Sequence, residues 1–283
     1  MVREPAATQV AAEVMLPAAD TPPAPRPSPF ARLRNVALLV VLVGLWQLES
    51  GFILPRTNPS AVTLMPPPTA VFSTALGLLL SGRLELQALA SLKRELLAFL
   101  IAAVVAIPLG IAMGWWRVVS AQVGLVTEIL RPIPPLAWIP LGILWLGIGD
   151  AENVFIIFLA IFFPVLINTI AGVRAIDVHM IRAARCLGAG EFDVLRRVAW
   201  HAALPQIFTG LRIGFGVGWM ALVAAEITGA QSGLGFLMWD ARSFLRTDVI
   251  ITCMLTIGVL GLALDQLILL VMRWALPWKR EHR

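Results

Sequence analysis

Residues 96–116 and 153–173 each run for 21 positions without an Asp, Glu, Lys or Arg. A helix of that length rises 1.5 Å per residue and matches a hydrocarbon core of roughly 30 Å. In lipid every backbone N–H and C=O must be satisfied within the chain, which leaves helices or closed barrels as the spanning forms. Two such runs therefore point to helices in a bilayer. The balance of the chain agrees: 59% of residues are hydrophobic, 14% are charged and the mean hydropathy is +0.84. Too little charge is left to cover a separate water-facing domain. The expected fold class is all-α and polytopic, with a single membrane domain. The net charge of +5 does not point to nucleic acid, because the basic residues sit at the ends of apolar runs and form no basic domain.

Four further stretches complete a set of six transmembrane helices. The first is read at 33–54, behind Arg26 and Arg32 and carrying Glu49. The third begins near Ala121 and is broken by Pro132, Pro134, Pro135 and Pro140. Carbonyls freed by proline need partners inside the protein, so Pro134 and Pro135 are expected to face other helices or a water-lined path. The fifth span, 204–226, holds Arg212 and ends at Glu226; the sixth, 249–272, holds Asp265. Residues 1–32, rich in proline and alanine, read as a disordered cytosolic tail. Between the first two spans, 69–81 is expected as a short amphipathic helix at the outer interface. The domain scheme is a tail at 1–32, a membrane domain at 33–275 with a polar loop at 174–203, and a tail at 276–283. With both termini in the cytosol, 14 of the 22 Lys and Arg lie on the inner side and six on the outer side. The central loop alone supplies Arg174, Arg182, Arg185, Arg196 and Arg197. That bias favours N-in, C-in.

The loop is the one sizeable polar segment between spans. It reads as two short helices hinged at Gly188-Ala189-Gly190, where glycine admits dihedrals that other residues avoid. In its second half Phe192, Leu195 and Ala199 form an apolar stripe, with Glu191 and Asp193 in the first turn, where a helix favours acid. Pro205 is expected to mark the first turn of the next span.

Charged side chains at mid-bilayer are costly, on the order of 2.5–3.5 kcal/mol by insertion scales, so Arg212, Glu226 and Asp265 should face protein or water. They read either as pathway or gating residues or as structural pairs. Gly210, Gly214 and Gly218 recur every fourth residue, the period that lets helices approach closely, within one subunit or between two. Cys186 and Cys253 show no metal spacing and read as small fillers; His179, His201 and His282 are scattered over cytosolic segments. Neither catalytic residues nor a metal site are expected.

In this order the residues resemble a known family. Ala183-Ala184, Gly188 and Val198 match the spacing of the loop signature Glu-Ala-Ala, three residues, Gly, nine residues, Ile-x-Leu-Pro, found in inner-membrane permeases of ATP-binding-cassette importers. The Ala203-Leu204-Pro205 that follows is similar to the nitrate/sulfonate/taurine/bicarbonate branch. So are the blocks Leu130–Pro140, Leu144–Gly149, Asn168–Val173, Ile207–Arg212 and Ser232–Gly235. Two positions depart: Arg182 stands in place of the signature Glu, and Trp200-His201 in place of its Leu-Pro. The resemblance implies a type I importer permease fold and a non-catalytic transport subunit in a bacterial inner membrane. It implies a loop that docks on an ATPase through Arg182, Ala183, Ala184, Gly188, Phe192, Leu195 and Val198. The partners implied are two cytosolic ATPase subunits that bind the ATP, a second permease copy, and a periplasmic binding protein delivering a small anion such as a sulfonate, taurine or nitrate. The chain carries no G-x-x-x-x-G-K-[ST] loop and so no P-loop nucleotide site of its own. The rival reading, a self-sufficient secondary transporter, calls for an internal inverted repeat, and none is evident.

Overall fold

The computed structural model describes residues 29–58 and 61–276; the tails expected at 1–32 and 276–283 lie almost wholly outside the described residues. Regular structure among the described residues is helical throughout. The chain divides into two units at the Leu48–Glu49 junction. The described part of the first is one helix, α1 (Pro29–Leu48). The second opens on a π-helical turn, Glu49–Ile53, and a single α-turn, Leu54–Thr57. Glu49 thus sits in helical backbone and does not end it.

Nine longer helices of the second unit follow among the described residues. Helix α2 (Pro68–Leu80) starts on the proline run as expected, since Pro at the first helical position gives up an N–H that no carbonyl would accept. It is apolar nearly all round and not amphipathic. Val71 is buried, and Thr74 Oγ1 donates to Asp248 at 2.7 Å. Gly82, at φ +69°, turns the chain into α3 (Arg83–Trp115). This helix has 33 residues, so it begins well before the uncharged run that starts at residue 96. Helix α4 (Arg117–Leu130) follows a break at the extended Trp116. After a 3₁₀ turn at Pro135–Trp138, α5 (Ile139–Leu146) leaves at 89° to α4. The four prolines at 132–140 therefore do break the third span. Next come α6 (Asp150–Arg174), α7 (Val178–Cys186), α8 (Glu191–Gly229), α9 (Leu234–Ser243) and α10 (Thr247–Ala275). Five helical stretches are long and apolar enough to cross a membrane, and six if the bent α4–α5 pair is one span.

Helix α6 is clasped between α3 and α8, and each neighbour offers it a row of small residues. On α3 these are Ala98, Ala102, Ala106 and Gly110, with the three alanines 0% exposed. On α8 they are Gly210, Gly214 and Gly218. A Cβ on Gly210 would lie 2.7 Å from Asn168 Cβ, and one on Gly218 2.5 Å from Ile161 Cγ1. The glycine period thus packs α8 against α6 within the subunit. Lipid tails are as apolar as leucine, so dispersion at such close approach, more than water exclusion, holds these helices together. Helix α10 is tied on by Trp219, whose Nε1 donates to the Ile257 carbonyl at 3.2 Å and whose indole fills the space left by Gly261.

Candidate functional site

The polar loop folds as two helices joined at Gly188, close to expectation in outline. Asp177 caps α7 by accepting from His179 N at 2.8 Å. The helix ends in a glycine turn. Gly188 stands at φ +83°, its N–H donates to the Arg185 carbonyl at 3.0 Å, and Ala189 N–H donates back to Ala184 at 3.1 Å. This pairing satisfies the last carbonyls and needs a left-handed residue at position 188. The signature residues Ala184 and Gly188 thus build one turn.

The second half differs from expectation. It is no separate helix: Glu191 starts α8, which continues through a π segment, Val194–Ala199, to Gly229. The fifth span accordingly begins inside the loop and not near Leu204, and Pro205 lies within the helix. The buried residues of the π segment are Val194 and Ala199. The Phe192–Leu195–Ala199 stripe therefore does not share one buried face: Phe192 is 73% exposed and Leu195 half-buried. Arg182 and Ala183 are exposed on α7, Val198 is half-buried, and Leu187 is 89% exposed beside Gly188. Phe192, Leu195, Trp200 and His201 line one cavity of about 480 Å³ with Ile111. One of the two departures from the loop signature, Trp200-His201, therefore borders the same cavity as Phe192 and Leu195, whereas Arg182 does not line it. Trp115 Nε1 donates to Glu191 Oε1 at 3.3 Å, joining the start of α8 to the end of α3.

The intramembrane charges sort into two sites. Arg212 and Asp265 meet in a two-bond pair, Nε to Oδ1 at 2.7 Å and Nη2 to Oδ2 at 2.9 Å. The pair is partly exposed and borders a cavity of about 570 Å³. Glu226 does not join it. It is 1% exposed and receives Arg94 Nη1 at 2.7 Å, Ser91 Oγ at 2.8 Å and Gly235 N–H at 2.9 Å. Arg94 also donates to Asp150 Oδ1, the Ser232 carbonyl and Ser232 Oγ. This knot ties α3, α6, α8 and α9 at one end of the bundle. Arg94 stands just ahead of the uncharged run at 96–116. Its partners lie 56 and 132 positions away, so nothing local announces them. Glu95 and Glu152, also fully buried, accept no hydrogen bond from described residues. Of the two prolines singled out, Pro134 is exposed and Pro135 borders a third cavity, at the α4–α5 break. No cluster of three or more His, Cys, Asp or Glu suited to a metal occurs among the described residues.

Residues 106–281 match the family described as "Binding-protein-dependent transport system inner membrane component". The chain is 43% identical to a candidate ABC transporter permease protein of Methanocaldococcus jannaschii over 82% of its own length and 86% of the relative's. It is 38% identical to the taurine transport system permease of Escherichia coli, covering 87% of the chain and 90% of that protein. It is 39% identical to the bicarbonate transport system permease of Synechococcus elongatus, covering 67% and 69%.

Proposed function

The chain belongs to the family of inner membrane components of binding-protein-dependent transport systems, and on that premise we propose that it forms the pathway of an importer for a small anion. As a family member it is a multi-pass membrane protein and an ABC transporter permease subunit, not an enzyme. The finer reading is ours. Two copies line the pathway, two cytosolic ATPase subunits bind and hydrolyse ATP, and a periplasmic binding protein delivers the substrate. The membrane is the bacterial inner membrane, with both termini and the α7–α8 loop in the cytosol.

One observation carries the mechanism: α8 runs without a break from Glu191 in the loop to Gly229 beside the Arg94–Glu226 knot. A helix of 39 residues spans about 58 Å. A push on its loop end is therefore delivered as a rigid tilt to the far end of the bundle. The exposed Phe192 and Leu187 offer an ATPase groove its apolar contacts, and α7 with its glycine turn sets their angle. Closing of the ATPase dimer on ATP moves the loops, and the pathway changes the side on which it opens.

The substrate class rests on similarity to relatives named for taurine and bicarbonate and on the arginines at membrane depth. The test is co-expression with a P-loop ATPase and a periplasmic binding protein. The complex should purify together, and ATP hydrolysis should rise when loaded binding protein is added. Leu195→Asp, which puts a charge in the docking groove, should cut the rise at least about tenfold while leaving membrane insertion intact. Transport by the chain alone, driven by an ion gradient, would overturn the reading in favour of a secondary transporter.

A further inference from the structure

We propose that the cavity at the α4–α5 break is an anion-binding station of the pathway, with Arg131 as its cation. The cavity holds about 360 Å³, room for a small anion with several waters. Its wall combines Arg131, Trp138 and Phe163 with Asn168 of α6 and Ile213 and Val217 of α8. The α6 residues on this wall fall in the middle of that helix, so the cavity lies at mid-depth of the bundle.

Three features make this a site and not a packing defect. The first is Arg131 itself. It follows the last residue of α4, and its side chain has no ion pair or hydrogen bond with any described residue. Glu128, three residues earlier, is not within ion-pair distance. Every other arginine singled out at membrane depth is paired: Arg94 with Glu226 and Asp150, Arg212 with Asp265. A guanidinium at that depth without a protein partner is costly unless water or an anion meets it. The second is the broken backbone. Irregular chain at membrane depth is tolerated where it lines a cavity, and this break does so through Ile133 and Pro135. The third is a second donor. Asn168 Nδ2 gives one hydrogen to the Pro164 carbonyl at 2.8 Å and keeps the other for the cavity. A planar guanidinium and an amide N–H on the wall of an otherwise apolar, aromatic chamber suit a sulfonate or carboxylate-type head.

The chamber also has an exit. Ile213 and Val217 border both it and the larger cavity that holds the Arg212–Asp265 pair. An anion released by Arg131 would meet a second arginine one helix face away, already held by Asp265. A free first cation and a carboxylate-masked second one grade the field along the path. Binding is then strong enough to enter and weak enough to leave.

The inference deepens the importer reading and rests on it for the claim that the occupant is the transported anion. Its test uses the full-length chain alone in nanodiscs, with no ATP and no ATPase. In a background of Cys186→Ser and Cys253→Ala, Val217→Cys places a thiol on the chamber wall. The labelling rates of an anionic reagent, sulfonatoethyl methanethiosulfonate, and its cationic trimethylammonium counterpart are compared. With Arg131 the anionic reagent should be favoured by roughly tenfold, as one unit charge a few ångströms away predicts. Arg131→Lys should keep the preference and Arg131→Gln should abolish it. With Arg131 intact, ethanesulfonate should slow labelling and the uncharged ethyl methyl sulfone should not. A preference unchanged by Arg131→Gln, equal protection by the two compounds, or a thiol inert to both reagents would overturn the site. Because the assay omits ATP, such a result leaves ATPase co-purification unaffected, and failure of co-purification leaves this result standing.

Discussion

At the scale of single residues, two arginines in ion pairs occupy opposite situations. Arg94 is 3% exposed, and all its donors are used within the α3–α6–α8–α9 knot. Removing it strands a buried Glu226 carboxylate, a change that costs about 3–5 kcal/mol where measured. Arg94→Met should therefore lower the thermal midpoint by many degrees, as followed by thermal aggregation in detergent. Arg212 is about half exposed beside a cavity, where solvent screens its pair with Asp265. Arg212→Gln should leave the midpoint nearly unchanged and act on transport instead. Equal thermal effects of the two substitutions would contradict the division between a structural knot and a pathway pair.

At the scale of elements, glycine has two distinct duties. Gly188 supplies the left-handed turn that ends α7, where a side chain costs on the order of 1–2 kcal/mol. Gly188→Ala should be a mild defect. Gly188→Pro also removes the N–H that reaches Arg185 and forces the wrong φ, so it should uncouple ATP hydrolysis from uptake with insertion retained. Gly218 serves contact. Its Cβ would sit 2.5 Å from Ile161 Cγ1 and 2.8 Å from Glu95 Oε1, whereas Gly216 on the same helix has open space around it. Gly218→Ala should destabilise by about 1–3 kcal/mol through overpacking. Gly216→Ala should be neutral or slightly stabilising, because alanine is the better helix former. Thermal midpoints of the two variants, measured side by side, check the α6–α8 interface.

At the scale of the whole molecule, the orientation in the membrane has a built-in reporter. Cys186 is exposed at the end of α7, while Cys253 is buried in α10. A membrane-impermeant maleimide should label the protein in inverted vesicles and not in intact cells, if the α7–α8 loop is cytosolic. Bound ATPase should shield the same thiol. Labelling from outside would reverse the topology derived from the arginine bias.

Much of this protein was legible in its residue order. The uncharged runs at 96–116 and 153–173 announced α3 and α6, because a bilayer imposes length and apolarity one helix at a time. The prolines at 132–140 announced the break between α4 and α5, and Gly188 announced its turn, since both act on their own backbone. The loop signature and the family it belongs to were likewise local patterns. What the order of residues did not reveal was pairing across distance. The Arg94–Glu226 knot, the α6-facing side of Gly210, Gly214 and Gly218, and the continuity of α8 through the loop depend on which helix lies beside which. A charge or a glycine carries no mark of its partner. Only the packed bundle, by bringing positions more than a hundred residues apart within hydrogen-bond reach, decided which charges are structural and which remain free to meet a ligand.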